Sequence, residues 1–182
     1  MSLDAPNGSH LRVAIGLLTV GAIARLLPHA PNVSPVAALA LFGGTVLPRR
    51  WAVVLPVAIL AITDVILGWH DVIAFTWMGA ALIGLTGLWV RRQSVRPGRL
   101  IIASLWSSTI FFLVTNFGVW LMGESGTMYP HTRAGLWQCF VAALPFYRLG
   151  VLGDLAWTGA IFGLYHFVTM RAATPAAVRA HS

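Results

Sequence analysis

The chain has 182 residues, 58% of them hydrophobic and 9% charged, with a net charge of +7 and a mean hydropathy of +0.79. That composition excludes an ordinary water-soluble domain and places most side chains against lipid or other buried helices. All 12 basic residues are arginines, set between apolar runs and not along one basic face, which argues against nucleic acid as a partner. The single Cys139 excludes an intramolecular disulfide and a cysteine-cluster metal site.

Residues 1–10 read as a disordered start. A helix that crosses the hydrocarbon layer needs about 20 apolar residues, and six runs qualify as spans: 11–27, 35–47, 51–69, 72–90, 100–122 and 149–170. The second is short and crosses only if the bilayer thins or the helix stands upright. Residues 134–147 are apolar but short and carry Pro145, which suggests a re-entrant or interfacial helix feeding into the last span. Residues 171–182 read as a disordered cytoplasmic tail. The expected fold class is therefore all-α: one polytopic membrane bundle over residues 11–170, with about six transmembrane helices. Ala22-Ile23-Ala24 follows an apolar run of signal-peptide length, but a retained first helix fits better.

Arginine placement sets the orientation, because basic loops stay in the cytoplasm. Arg49 and Arg50 follow the second span, Arg91, Arg92, Arg96 and Arg99 the fourth, and Arg171 and Arg179 the sixth. Together with Arg12 they put both termini inside a bacterial inner membrane. Only Arg25, Arg133 and Arg148 fall on the outer side.

An ionisable side chain at the centre of a membrane helix costs about 2.5 to 3.5 kcal/mol on insertion scales, so each one requires a reason. Asp64 lies late in the third span and Asp154 early in the sixth. These helices run in opposite directions, so both carboxylates belong to the outer half of the membrane. Arg25, Asn116 and Arg148 converge on the same layer, and His29, Asn32, His70, Asp71, Tyr129, His131 and Arg133 line the outer loops. The inner half holds little besides Ser104, Ser107, Ser108 and Thr109, whose hydroxyls can bond their own backbone. This asymmetry resembles a capture site open to the outside, with Arg25, His29, Asn32, Asp64, His70, Asn116, Arg148 and Asp154 as candidate substrate-binding residues. The bland alternative is that Arg25 or Arg148 pairs with Asp64 or Asp154 merely to staple helices.

Small residues mark packing faces in lipid. Gly159 and Gly163 form a GxxxG, and Ala40 and Gly44 share its spacing; both are expected to pack within the molecule. The run Pro35 to Gly44 is so rich in small residues that its helix should occupy the bundle centre. Trp51, Trp69, Trp89 and Trp120 fall at span ends, as interfacial belts require. No HExxH, GxSxG, P-loop or dinucleotide fingerprint is present, so no enzymatic activity, catalytic residue, cofactor or bound metal is expected.

The stretch Arg25-Leu26-Leu27-Pro28-His29-Ala30-Pro31-Asn32, running into Pro35-Val36-Ala37-Ala38-Leu39-Ala40-Leu41-Phe42-Gly43-Gly44, resembles a bacterial membrane family of uncharacterised function related to energy-coupling-factor transporter S components. Asp64 with Leu67-Gly68-Trp69-His70, Thr115 to Trp120, Tyr129-Pro130, Ala142 to Phe146 and Gly153-Asp154 extend the resemblance from Arg12 to Gly163. It implies a six-helix protein with both termini inside that binds a vitamin or trace nutrient near the outer face. A shared ATPase module is the usual energy-coupling partner. Within that class the chain is most similar to the solitary cobalamin-uptake type. A corrinoid would want a soft or imidazole ligand for cobalt, for which His29, His70, Met78 and Cys139 are the available side chains.

The leading expectation is a transport component that captures a small organic nutrient, a corrinoid being one candidate, without chemistry on it. The alternatives are a structural or assembly subunit of a membrane complex, and an intramembrane enzyme using Asp64 and Asp154 as an acid and base pair.

Overall fold

The computed structural model describes residues 8–28, 30, 32–93, 95–123 and 128–179, with side chains through residue 171. Six helices follow one another: α1 Gly8–Leu26, α2 Val36–Val46, α3 Val54–Leu67, α4 Ile73–Arg92, α5 Pro97–Met122 and α6 Arg133–Arg179. The described residues contain no strand. Helices α1, α4, α5 and α6 are long and apolar enough to cross a membrane. Their outer faces expose large apolar side chains such as Val20, Ile102, Leu152 and Met170. A soluble protein would hide such faces; a lipid-facing one displays them, and the chain is accordingly a membrane protein.

All 11 residues of α2 are buried, and the helix packs against every other one. Its composition explains why. A Cβ on Gly44 would stand 2.1 Å from the Gly84 carbonyl oxygen of α4, and one on Gly87 would stand 2.5 Å from that of Leu41. Glycine at these positions brings two backbones into direct contact, the close approach by which helices associate in lipid. At about 1.5 Å per residue, α2 is roughly 17 Å long, well short of the ~30 Å hydrocarbon layer. Because it is enclosed by protein, its non-helical flanks need not face lipid.

Local signals fix the helix ends. Gly68 closes α3 in the positive-φ region (φ 104°), its amide bonded to the Asp64 carbonyl. Pro97 opens α5 in the first turn. The Thr132 hydroxyl accepts a hydrogen bond from the Gly135 amide and caps α6.

Four expectations are corrected. Residues 134–147 are not a separate re-entrant or interfacial helix: α6 runs without interruption from Arg133 through Pro145 to Arg179. Proline removes only the bond its own N–H would have given to Val141, and one lost bond does not end a helix of this length. The helix also continues past residue 171, where a disordered tail is expected, and α1 already begins at Gly8. Finally, Gly159 and Gly163 do not pack internally, since a Cβ on either would meet nothing within 4 Å. The Ala40 and Gly44 pair does pack internally, both residues being buried in α2.

Candidate functional site

At one end of the bundle three helices are tied together by polar groups. Arg25, in the last turn of α1, donates through Nη2 to Asp64 Oδ1 of α3 at 2.5 Å and through Nη1 to the Thr63 hydroxyl. The other Asp64 oxygen accepts the indole N–H of Trp77 from α4 at 2.7 Å. The Asp64 side chain is 2% exposed and that of Arg25 11%, so the pair satisfies itself where an unpaired charge would be costly. Of the pairings open from the sequence, the structure selects Arg25 with Asp64.

Beside this clamp lies a cavity of about 450 Å³. Arg25, Asn32 and Ser34 form one side, Thr76 of α4 joins them, and Ser108, Thr115 and Asn116 descend from α5. Tyr147 and Asp154 of α6 close the ring, with Phe111, Phe112 and Phe146 between the polar groups. The α1–α2 connection is laid on α6 to form this wall: the Val33 carbonyl accepts the Trp157 indole N–H at 3.4 Å. Asn32 adopts a left-handed conformation there (φ 63°), which asparagine tolerates better than most residues.

Within the cavity, Asp154 Oδ2 lies 2.6 Å from the Ser108 hydroxyl, which is also 3.0 Å from the Ser104 carbonyl oxygen. The Tyr147 hydroxyl pairs with Thr109 at 2.8 Å, and its ring stacks at a tilt on Phe112, with centroids 4.7 Å apart. Asn116 donates Nδ2 to the Phe112 carbonyl, which leaves its Oδ1 as an acceptor. The Ser34 Oγ is buried without a hydrogen-bond partner. A buried hydroxyl so placed costs free energy that a bound polar group would recover.

The expected site residues divide accordingly. Arg25, Asn32, Asn116 and Asp154 line the cavity. Asp64 does not; it acts one step back, holding Arg25. His70 and Arg148 are exposed and lie outside the lining, His70 in the turn after α3 and Arg148 on the outer surface of α6. A one-residue offset on a helix turns a side chain by about 100°, which is how Arg148 faces away while its neighbour Tyr147 faces in. His29 lies outside the described residues. Asp64 and Asp154 have separate partners, with no bond between them. No group of three or more metal-ligating side chains occurs among the described residues.

Sequence reasoning missed Trp77, Thr63, Ser34, Tyr147 and the phenylalanines. Trp77 carried a usable signal: it lies inside an apolar run, about one turn from its start, and an indole N–H buried there requires a partner.

A helical membrane bundle with a polar-and-aromatic cavity walled by all six of its described helices is the class of molecule these features define. The model of the family described as Family of unknown function (DUF6580) matches residues 6–177, and the chain belongs to that family. No curated protein and no solved structure matches the chain.

Proposed function

We propose that this protein is an S-component-like capture subunit of the bacterial inner membrane, crossing it six times with both termini inside. It binds a small organic nutrient from the outer side and performs no chemistry on it. The observation that carries this reading is the cavity: about 450 Å³, within the small-molecule range, mostly apolar with a few convergent polar groups. Its position supports the orientation. The cavity-lining residues come from the C-terminal turns of α1 and α3, the N-terminal turns of α2 and α4, the middle to C-terminal turns of α5 and the N-terminal half of α6. Arg49, Arg50, Arg91, Arg92, Arg96, Arg99 and Arg171 belong to the opposite helix ends. By the charge rule those ends are cytoplasmic and the cavity faces out.

An energy-coupling ATPase module remains the partner that the S-component resemblance implies.

Native mass spectrometry of the detergent-purified protein tests the reading. A retained small molecule that is lost in Asp154→Asn and Asn116→Ala supports capture. An empty protein carrying stoichiometric partner subunits supports the assembly role instead. One observation favours that second reading: the open Gly159 and Gly163 lie in an apolar groove of about 550 Å³ with Pro97, Leu100, Ile101 and Phe162.

A further inference from the structure

From the charges around the cavity we infer that it selects an organic monocation, whose positive group rests on Asp154 and whose apolar body lies among the aromatic rings. This inference rests on the capture reading above and specifies its ligand class.

Two charged side chains line the cavity among the described residues, Arg25 and Asp154. Their situations are opposite. Arg25 is already neutralised by Asp64 at 2.5 Å. Asp154, only 9% exposed, has no salt-bridge partner among the described residues. Its one hydrogen bond among the described residues is from the Ser108 hydroxyl to Oδ2. Among the described residues the adjoining helices add no cation beside Arg25: α2 carries no ionisable side chain, and neither does α5 from Leu100 to Met122. On α6 the nearest arginine, Arg148, is exposed and lies outside the cavity. Among the described residues, two carboxylates, Asp64 and Asp154, thus stand against the one guanidinium of Arg25.

A carboxylate withdrawn from water in a membrane helix is expensive without a counter-charge. The surrounding groups suit a cation as that counter-charge. Phe111, Phe112, Phe146 and Tyr147 line the same space, and aromatic faces attract cations through their quadrupole. The remaining acceptor, Asn116 Oδ1, suits an N–H donor; its Nδ2 is already committed to the Phe112 carbonyl. An anionic ligand would meet Asp154 directly and find Arg25 already paired.

Three aromatic probes of one size and different charge provide the test: benzylammonium, benzyl alcohol and benzoate, titrated calorimetrically into the purified protein against empty micelles. Benzylammonium is expected to bind at least about tenfold more tightly than the other two, a preference of roughly 1.4 kcal/mol. Asp154→Asn should abolish that preference, and Asp154→Glu should retain it. If benzyl alcohol or benzoate binds wild-type protein as tightly as benzylammonium, the charge inference is overturned while the capture reading stands. Binding of none of the three overturns both. The wild-type comparison decides by itself if D154N does not fold.

Discussion

Trp77 and Asp64 show how much one hydrogen bond carries in a helix end surrounded by apolar side chains. Trp77→Phe keeps an aromatic side chain but removes the N–H that reaches Asp64 Oδ2, together with one ring of the indole. A bond to a charged group is worth about 1.5 to 3 kcal/mol, and unfolding of the purified variant should reveal a loss of that order. Asp64→Leu alone should cost more, about 3 to 5 kcal/mol, because it strands a guanidinium that is 11% exposed. Adding Arg25→Met should recover most of that loss, and a double-mutant cycle measures the recovery. A lack of recovery would show that Arg25 does more than hold α1 to α3. Glycines sort the same way. Gly44→Ala and Gly87→Ala should each destabilise by about 1 to 3 kcal/mol or more, because the new methyl meets backbone atoms that have no room to move. Gly159→Ala and Gly163→Ala should leave the monomer unchanged or slightly more stable. If those two variants nonetheless lose a partner on purification, the open face is an interface.

Legibility in the sequence differs from helix to helix. The small-residue run of α2 announces a central helix, because only such a run lets neighbours approach from all sides, and the structure buries every residue of it. Polar groups within apolar runs were equally legible, and Arg25, Asn116 and Asp154 line the cavity. Phe111, Phe112 and Tyr147 were not, since aromatic residues are common throughout membrane helices and only their facing distinguishes a cavity wall from a lipid contact. The α6 helix was misread because a proline signals a break far more often than it causes one in a well-packed helix. Pro145 is exposed, so Pro145→Ala should return one backbone hydrogen bond without a clash and raise the thermal unfolding midpoint. A lowered midpoint would mean that the proline shapes the cavity wall.

The molecule as a whole has two unlike ends, one rich in arginine and one holding the clamp and the cavity. Contacts between distant parts of the chain agree: Arg91 donates to the Leu47 carbonyl, and His10 meets Tyr165 edge to face at 6.4 Å, both at the arginine-rich end. In a Cys139→Ser background, a membrane-impermeant maleimide added to intact cells should label an Arg133→Cys variant and spare Arg50→Cys. Labelling of position 50 from outside would overturn the proposed orientation.

The length of α6 has a mechanical consequence. Thr158 bonds Ser104 and Cys139 bonds Asn116, so α5 and α6 lie antiparallel, and the start of α5 at Pro97 falls beside about residue 165 of α6. The turns of α6 beyond that point, with Arg171 stacked 4.2 Å over Phe167, overhang their neighbour at the arginine-rich end. Asp154 lies about 26 Å along the helix from Arg171. A 10° lean of α6 about Asp154 would swing the Arg171 end by roughly 4 to 5 Å. A small adjustment of the cavity wall would thereby be magnified into a larger displacement at the arginine-rich end.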